Sequence, residues 1–131
     1  MIDSVNYEER KPIWIALSEL YLDTELQAHD FRYIARVIME SPYTFDEVKQ
    51  INTYEVFPVL QYNLLSVAGV WSGFQEEWLV KEIKEALKRQ SKIKKIGISI
   101  RWRMGKWMQK TYWQKLEEIY TELTATPDSL A

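Results

Sequence analysis

The chain holds one histidine, His29, and no cysteine. Disulfides, thiolate metal sites and thiol nucleophiles are excluded at once. A lone histidine beside a predicted helix start reads as a surface or capping residue rather than as a ligand or base. No His-x-x-x-His, Gly-x-Ser-x-Gly, Walker or dinucleotide-binding pattern occurs. Glu55 stands between Tyr54 and Val56-Phe57. Burial there would raise its pKa and make it a poised base; a helix cap or an arginine pair is the plainer reading. Asn63, inside an apolar run, reads as a buried hydrogen-bonding residue. The acid pairs Asp46-Glu47 and Glu76-Glu77 suit the positive ends of helices, and as metal ligands they would need further groups from elsewhere. This inventory supplies no catalytic constellation, no metal site and no cofactor site, so the expectation is a protein that is not an enzyme.

The charges suggest chemistry of another kind. Residues 1–80 carry 5 Lys+Arg and 13 Asp+Glu, residues 81–115 carry 12 and 2, and residues 116–131 carry 0 and 4. Such segregation serves a charged partner or draws two parts of the fold together. In the basic segment Lys88, Arg89, Lys92, Lys94, Lys95, Arg101, Arg103, Lys106 and Lys110 are interleaved with Trp102, Trp107 and Trp113. Cations follow a phosphate backbone and exposed aromatics stack on bases, so Lys94, Lys95, Arg101 and Arg103 are candidate nucleic-acid contacts. Against this, the tryptophans fit core-facing positions and the whole-chain pI is near 5.5. Nucleic acid is the alternative reading, not the leading one.

These side chains must be placed by a fold. With 131 residues, 47% of them apolar and 14% aromatic, the chain is expected to form a single globular domain over 1–131. The start, Met1-Ile-Asp-Ser-Val-Asn-Tyr, lacks the basic and apolar regions of a secretory signal, and cysteine is absent, so a cytoplasmic location and no membrane span are expected. Residues 56–74 carry no formal charge and include Pro58, Gly69 and Gly73. That is a buried segment with forced turns rather than one uniform helix.

Periodicity predicts an all-α bundle of about five to six helices. The first covers 7–22, with Asn6 as N-cap, or starts at Pro12 if residues 7–11 only lead in. The second covers 30–40 and ends at Ser41-Pro42. Thr44 and Glu47 form a capping box for a third at 45–51, followed by a break at Asn52-Thr53. A fourth is expected over 74–90 and a last over 106–123, with a frayed tail at 124–131. Residues 93–104 are ambiguous. Ile96, Ile98, Ile100, Trp102 and Met104 alternate like a strand, while Ile93, Ile96, Ile100, Met104 and Trp107 satisfy helical spacing. No other segment offers a strand partner, which favours the helix. The expected core is Trp14, Phe57, Leu64, Leu65, Trp78, Leu116 and Ile119.

The stretch from Lys11-Pro-Ile-Trp14 to Glu25, then Tyr54-Glu-Val-Phe-Pro58, Asn63 to Phe74 and Glu76-Glu-Trp78 resembles an uncharacterised bacterial domain family of similar length. The resemblance covers roughly residues 8 to 90. It implies a small stand-alone protein of the kind that includes immunity proteins of contact-dependent growth inhibition systems. On that expectation the chain binds a cognate toxin domain, such as a nuclease, and covers its active site; free, it is a monomer or weak homodimer. Many such toxins are basic, so the first-choice face is acidic: Glu19, Asp23, Glu25, Asp30, Asp46 and Glu47, anchored by Tyr21, Tyr33 or Tyr43. The second choice is segment 96–104, added as a strand to the toxin.

Overall fold

Short polar side chains decide where the helices begin. A computed structural model of the chain describes residues 6–21, 26–60 and 76–125, and every regular element among them is helical. Asn6 Oδ1 accepts from the amides of Glu8 and Glu9 at 3.0 and 3.2 Å and opens α1, Tyr7–Ser18. The helix does not wait for Pro12, which lies inside it. Proline cannot donate to the Glu8 carbonyl four residues earlier, but Glu8 is exposed and water can serve that carbonyl. A 3₁₀ turn, Glu19–Tyr21, closes the segment.

Asp30 accepts from the Gln27 amide at 2.8 Å at the start of α2, Ala28–Glu40. The Thr44/Glu47 capping box is formed in both directions, at 3.1 and 2.8 Å, and opens α3, Phe45–Ile51. Each such box satisfies two amides that a helix start would leave orphaned.

The expected break at Asn52-Thr53 is absent. A π-helical turn, Asn52–Val56, follows α3 directly, with the Phe57 amide bonded five residues back to the Asn52 carbonyl, and helical geometry goes on over 57–60. Pro58 gives a physical reason for the wide turn. Proline has no N–H to offer the carbonyl four residues earlier, and its ring crowds that carbonyl. The carbonyl is that of Tyr54, and Gln90 Nε2 donates to it at 2.8 Å instead.

The remaining elements are α4, Glu76–Lys88; α5, Lys92–Gly105, capped by Ser91; a 3₁₀ turn, Lys106–Gln109; and α6, Lys110–Ala125. The ambiguous segment is therefore helix, which removes strand addition as a binding mode for 96–104. Thr124 and Ala125 belong to α6 rather than to a frayed tail, and 126–131 lie outside the described residues.

The core gathers Trp14, Leu17, Ile34, Ile38, Val48, Val56, Phe57, Leu79, Ile83, Leu116 and Ile119. Four of the expected core residues are in it. Leu64 and Leu65 lie outside the described residues. Trp78 is corrected: it is 40% exposed, because the line α4 turns inward is Leu79 and Ile83. The helices α2 and α6 pack along each other, and the π turn touches α1, α3, α4 and α5.

At that turn Glu55 pairs with Arg10 and accepts from Trp14 Nε1 at 2.8 Å. Arg10 also donates from Nε to the Tyr43 hydroxyl at 3.0 Å. Burial alone would lower the Arg10 pKa, but the bond and charge of Glu55, helped by Tyr43, outweigh it and leave it raised. Glu55 is thus an arginine partner in the core wall, not a free base. Removing one member of a largely buried pair strands the other, so Glu55→Ala is expected to cost about 3 kcal/mol in urea unfolding. The exposed cap variant Glu47→Ala is expected to cost about 1 kcal/mol. A Glu55→Ala loss no larger than that of Glu47→Ala would contradict the pairing.

Candidate docking surface

Helix α5 has two apolar lines. At about 100° per residue, Ile98 and Trp102 fall on one side, and Ile93, Ile96, Ile100 and Met104 fall within an arc of about 80° on the opposite side, with exposed Trp107 following in the 3₁₀ turn beyond the helix end. The first line faces inward. Ile98 is buried, and Trp102 meets the Phe57 ring edge-on at 5.1 Å between centroids. The second line faces out, from 53% exposure at Ile100 to 81% at Ile93. Expected to lie inward, the tryptophans divide: Trp102 and Trp113 are half-buried, and Trp107 is exposed. Single exposed apolar residues need no explanation, whereas four in register do.

Cations flank this stripe: Lys92 and Arg103 on one side, Lys94 and Arg101 on the other. No Asp or Glu occurs between Glu85 and Glu117. Of the four candidate nucleic-acid contacts, Lys94 and Arg101 line a cleft with Pro58 and Arg89, Lys95 lies 5.8 Å from the Tyr54 ring centroid, and Arg103 lines a different cleft. They do not form one track. The cleft at Arg103 is the better site. About 680 Å³ in volume, it is walled by Trp102, Trp107 and Trp113 and carries Lys49, Lys106 and Lys110 as well.

Behind that cleft runs a buried polar chain. The Tyr21 hydroxyl donates to Asn52 Oδ1 at 2.7 Å, while Asn52 Nδ2 at 3.4 Å and Trp113 Nε1 at 3.0 Å both donate to Gln109 Oε1. Burial pushes the Tyr21 hydroxyl far above its ordinary pKa and keeps it neutral. This corrects one expected contact: Tyr21 is 1% exposed and is no anchor for a partner. Tyr43 is half-buried under the Arg10 guanidinium, 5.0 Å from its ring centroid. Sequence reasoning missed Asn52 and Gln109. Gln109 ends the 3₁₀ turn that leads into α6, four residues before Trp113 and seven before Leu116, and that spacing, which continues the inward line of α6, is the signal that could have found it.

The acidic set is not one face. Glu19 and Asp30 are close enough to act on each other, and Tyr33 feels the charges of Glu19 and Glu76. Asp46 and Glu47 belong to the start of α3, and Glu47 is held in its capping box. Arg10, which touches Tyr43 beside that start, lies in α1 nine residues before Glu19, the residue that opens the following 3₁₀ turn, roughly 13 Å along the helix axis. Asp23 and Glu25 lie outside the described residues. His29 is exposed, with Nε2 3.4 Å from Asp30. Among the described residues no three His, Asp or Glu side chains converge as a metal site would require, and no helix is long and apolar enough to cross a membrane.

The family of domains of unknown function DUF7079 matches residues 8–119. The chain belongs to that family. Its match runs past residue 90, where the resemblance in the sequence ended, and takes in the whole of α5 and its stripe. No curated protein and no solved structure matches the chain.

Burial first, then the charge of Asp30, holds the Glu19 carboxyl above its ordinary pKa. A raised folded-state pKa means that the folded form holds its proton longer than the unfolded form, so ionisation weakens folding as pH rises. Glu19→Gln is therefore expected to raise Tm at pH 7, with a difference that disappears as pH falls below the ordinary value near 4.5. Thermal melts at pH 7 and pH 4 check this; an equal shift at both would place the effect outside ionisation.

Proposed function

We propose that this chain is an immunity protein that acts in the cytoplasm, binding a cognate toxin domain and neutralising it without catalysis of its own. The observation that carries the reading is the outward stripe of α5. Four large apolar side chains in register, each more than half exposed, with Trp107 just beyond the helix end, form a contiguous apolar patch of the kind that marks an interaction site. Such a patch, with a tryptophan and a methionine at one end, has the composition of an interface core. The toxin role itself is what the sequence resemblance implies. Binding uses α5 as a helix, and the split acidic residues contribute little.

Protection of growing cells tests this. A candidate toxin domain, sought in the genes neighbouring this one, is expressed alone, with the chain, and with variants. The chain is expected to restore growth, Ile96→Asp/Ile100→Asp to abolish protection, and Asp46→Lys to leave it intact. A complex able to neutralise a toxin present at few copies should have a nanomolar Kd, and loss of a central apolar anchor should weaken it about 30-fold or more. Cells that die equally with and without the chain, both proteins being soluble, end the reading.

A second reading rests on the cleft lined by Trp102, Trp107 and Trp113 with Lys49, Arg103 and Lys106. Stacking rings beside cations suit single-stranded nucleic acid. Anisotropy of a labelled RNA or single-stranded DNA oligonucleotide at low salt decides between the two. Micromolar binding that falls steeply with salt and is lost in Lys106→Glu would favour this reading; no binding at micromolar protein discards it.

A further inference from the structure

We infer that α5 is one half of a two-helix seam whose other half is an acidic amphipathic helix on the partner. The inference rests on the protein-binding reading above and names the partner's chemistry. Three independent features carry it.

The stripe is narrow and correctly spaced. Ile93, Ile96, Ile100 and Met104 follow one another at steps of three, four and four residues. An arc of about 80° is the width of a coiled-coil seam; a helix built to lie in a bilayer or on a broad core shows a wider apolar face. The side facing away from the stripe is already occupied, by Ile98 in the core and Trp102 on Phe57.

The rims select the partner's charge. Both flanks of the seam are cationic, and the sequence supplies no acid between Glu85 and Glu117. A second copy docking seam to seam would set cation against cation. A partner helix with glutamates or aspartates beside its apolar line meets opposite charge on both rims.

Gly97 stands at the edge of the stripe inside a helix, where glycine costs about 1 kcal/mol relative to alanine. Nothing in the fold calls for it. A Cβ added at Gly97 would meet only the tip of Arg101, 4.0 Å away. The space above it belongs to the cleft that Pro58, Arg89, Lys94 and Arg101 also line, on the cationic rim of the seam, and a partner backbone entering there meets no side chain at position 97.

The test uses the full chain and defined probes: a labelled 21-residue helical peptide with leucines at its a and d positions and glutamates on its flanks, the same peptide with lysines for glutamates, and vesicles of phosphatidylcholine with phosphatidylglycerol. The glutamate peptide is expected to bind in the micromolar range, weakening about tenfold or more from low to high salt, and the lysine peptide not to bind. Ile100→Asp should abolish binding. Gly97→Leu should weaken it at least about tenfold while Tm stays level or rises, so that lost binding is not mistaken for lost folding. No glutamate-peptide binding at about 100 µM, equal binding of both peptides, partition onto the vesicles instead, or a dimer of this chain broken by Ile100→Asp would each overturn the seam. If Ile100→Asp still protects cells from the toxin, the seam falls and the immunity reading stands. If the peptide binds as expected and the chain protects no cell, the reverse holds.

Discussion

The charge pair between Arg10 and Glu55 is the constraint on which the rest of the molecule depends. Glu55 sits in the π turn Asn52–Val56, and that turn touches α1, α3, α4 and α5. By taking both the Arg10 guanidinium and the Trp14 indole N–H, Glu55 fixes the turn to α1. A carboxylate this close to the core needs such partners, since a buried charge without them is costly. The turn itself follows from Pro58, whose missing donor is made good by Gln90 reaching across to the Tyr54 carbonyl. Gln90 stands just before α5, so the repair of a proline defect also holds the entry to the helix with the exposed stripe.

The placement of α5 has a consequence for function. Ile98 and Trp102 draw the helix against Phe57, and the geometry of a helix then turns Ile93, Ile96, Ile100 and Met104 outward. A chain selected for folding alone would put Lys or Glu at such positions. The second polar chain, from Tyr21 through Asn52 and Gln109 to Trp113, fixes the wall of the neighbouring cleft from behind. Both surfaces are thus carried by a fixed scaffold rather than by loops, which lowers the ordering cost of binding.

What was legible in the sequence was local. Asn6, the Thr44/Glu47 box and the all-α class follow from interactions spanning a few residues, and periodicity locates α2, α4 and α6. What was not legible depended on partners distant in the chain. Periodicity gives α5 two apolar lines without saying which one turns inward; Phe57 decides that. The π turn needed Gln90, 36 residues away from the carbonyl it satisfies. Periodicity puts Trp78 on one apolar stripe with Leu79 and Ile83, but the stripe is wider than the contact, and Leu79 and Ile83 alone set the inward line of α4. The acidic residues were grouped because they are close in sequence, and the length of α1 separates them.

Side-chain oxidation measures the central claim, that the α5 stripe stands uncovered in the free protein. Hydroxyl-radical footprinting with mass spectrometry reads Met104, Trp107 and Trp14 in one sample. The account predicts that Met104 and Trp107 oxidise at rates close to those in an unfolded peptide, while Trp14, fully buried, is protected by an order of magnitude or more. Protection of Met104 and Trp107 comparable to that of Trp14 would mean that something already covers the stripe and would contradict it.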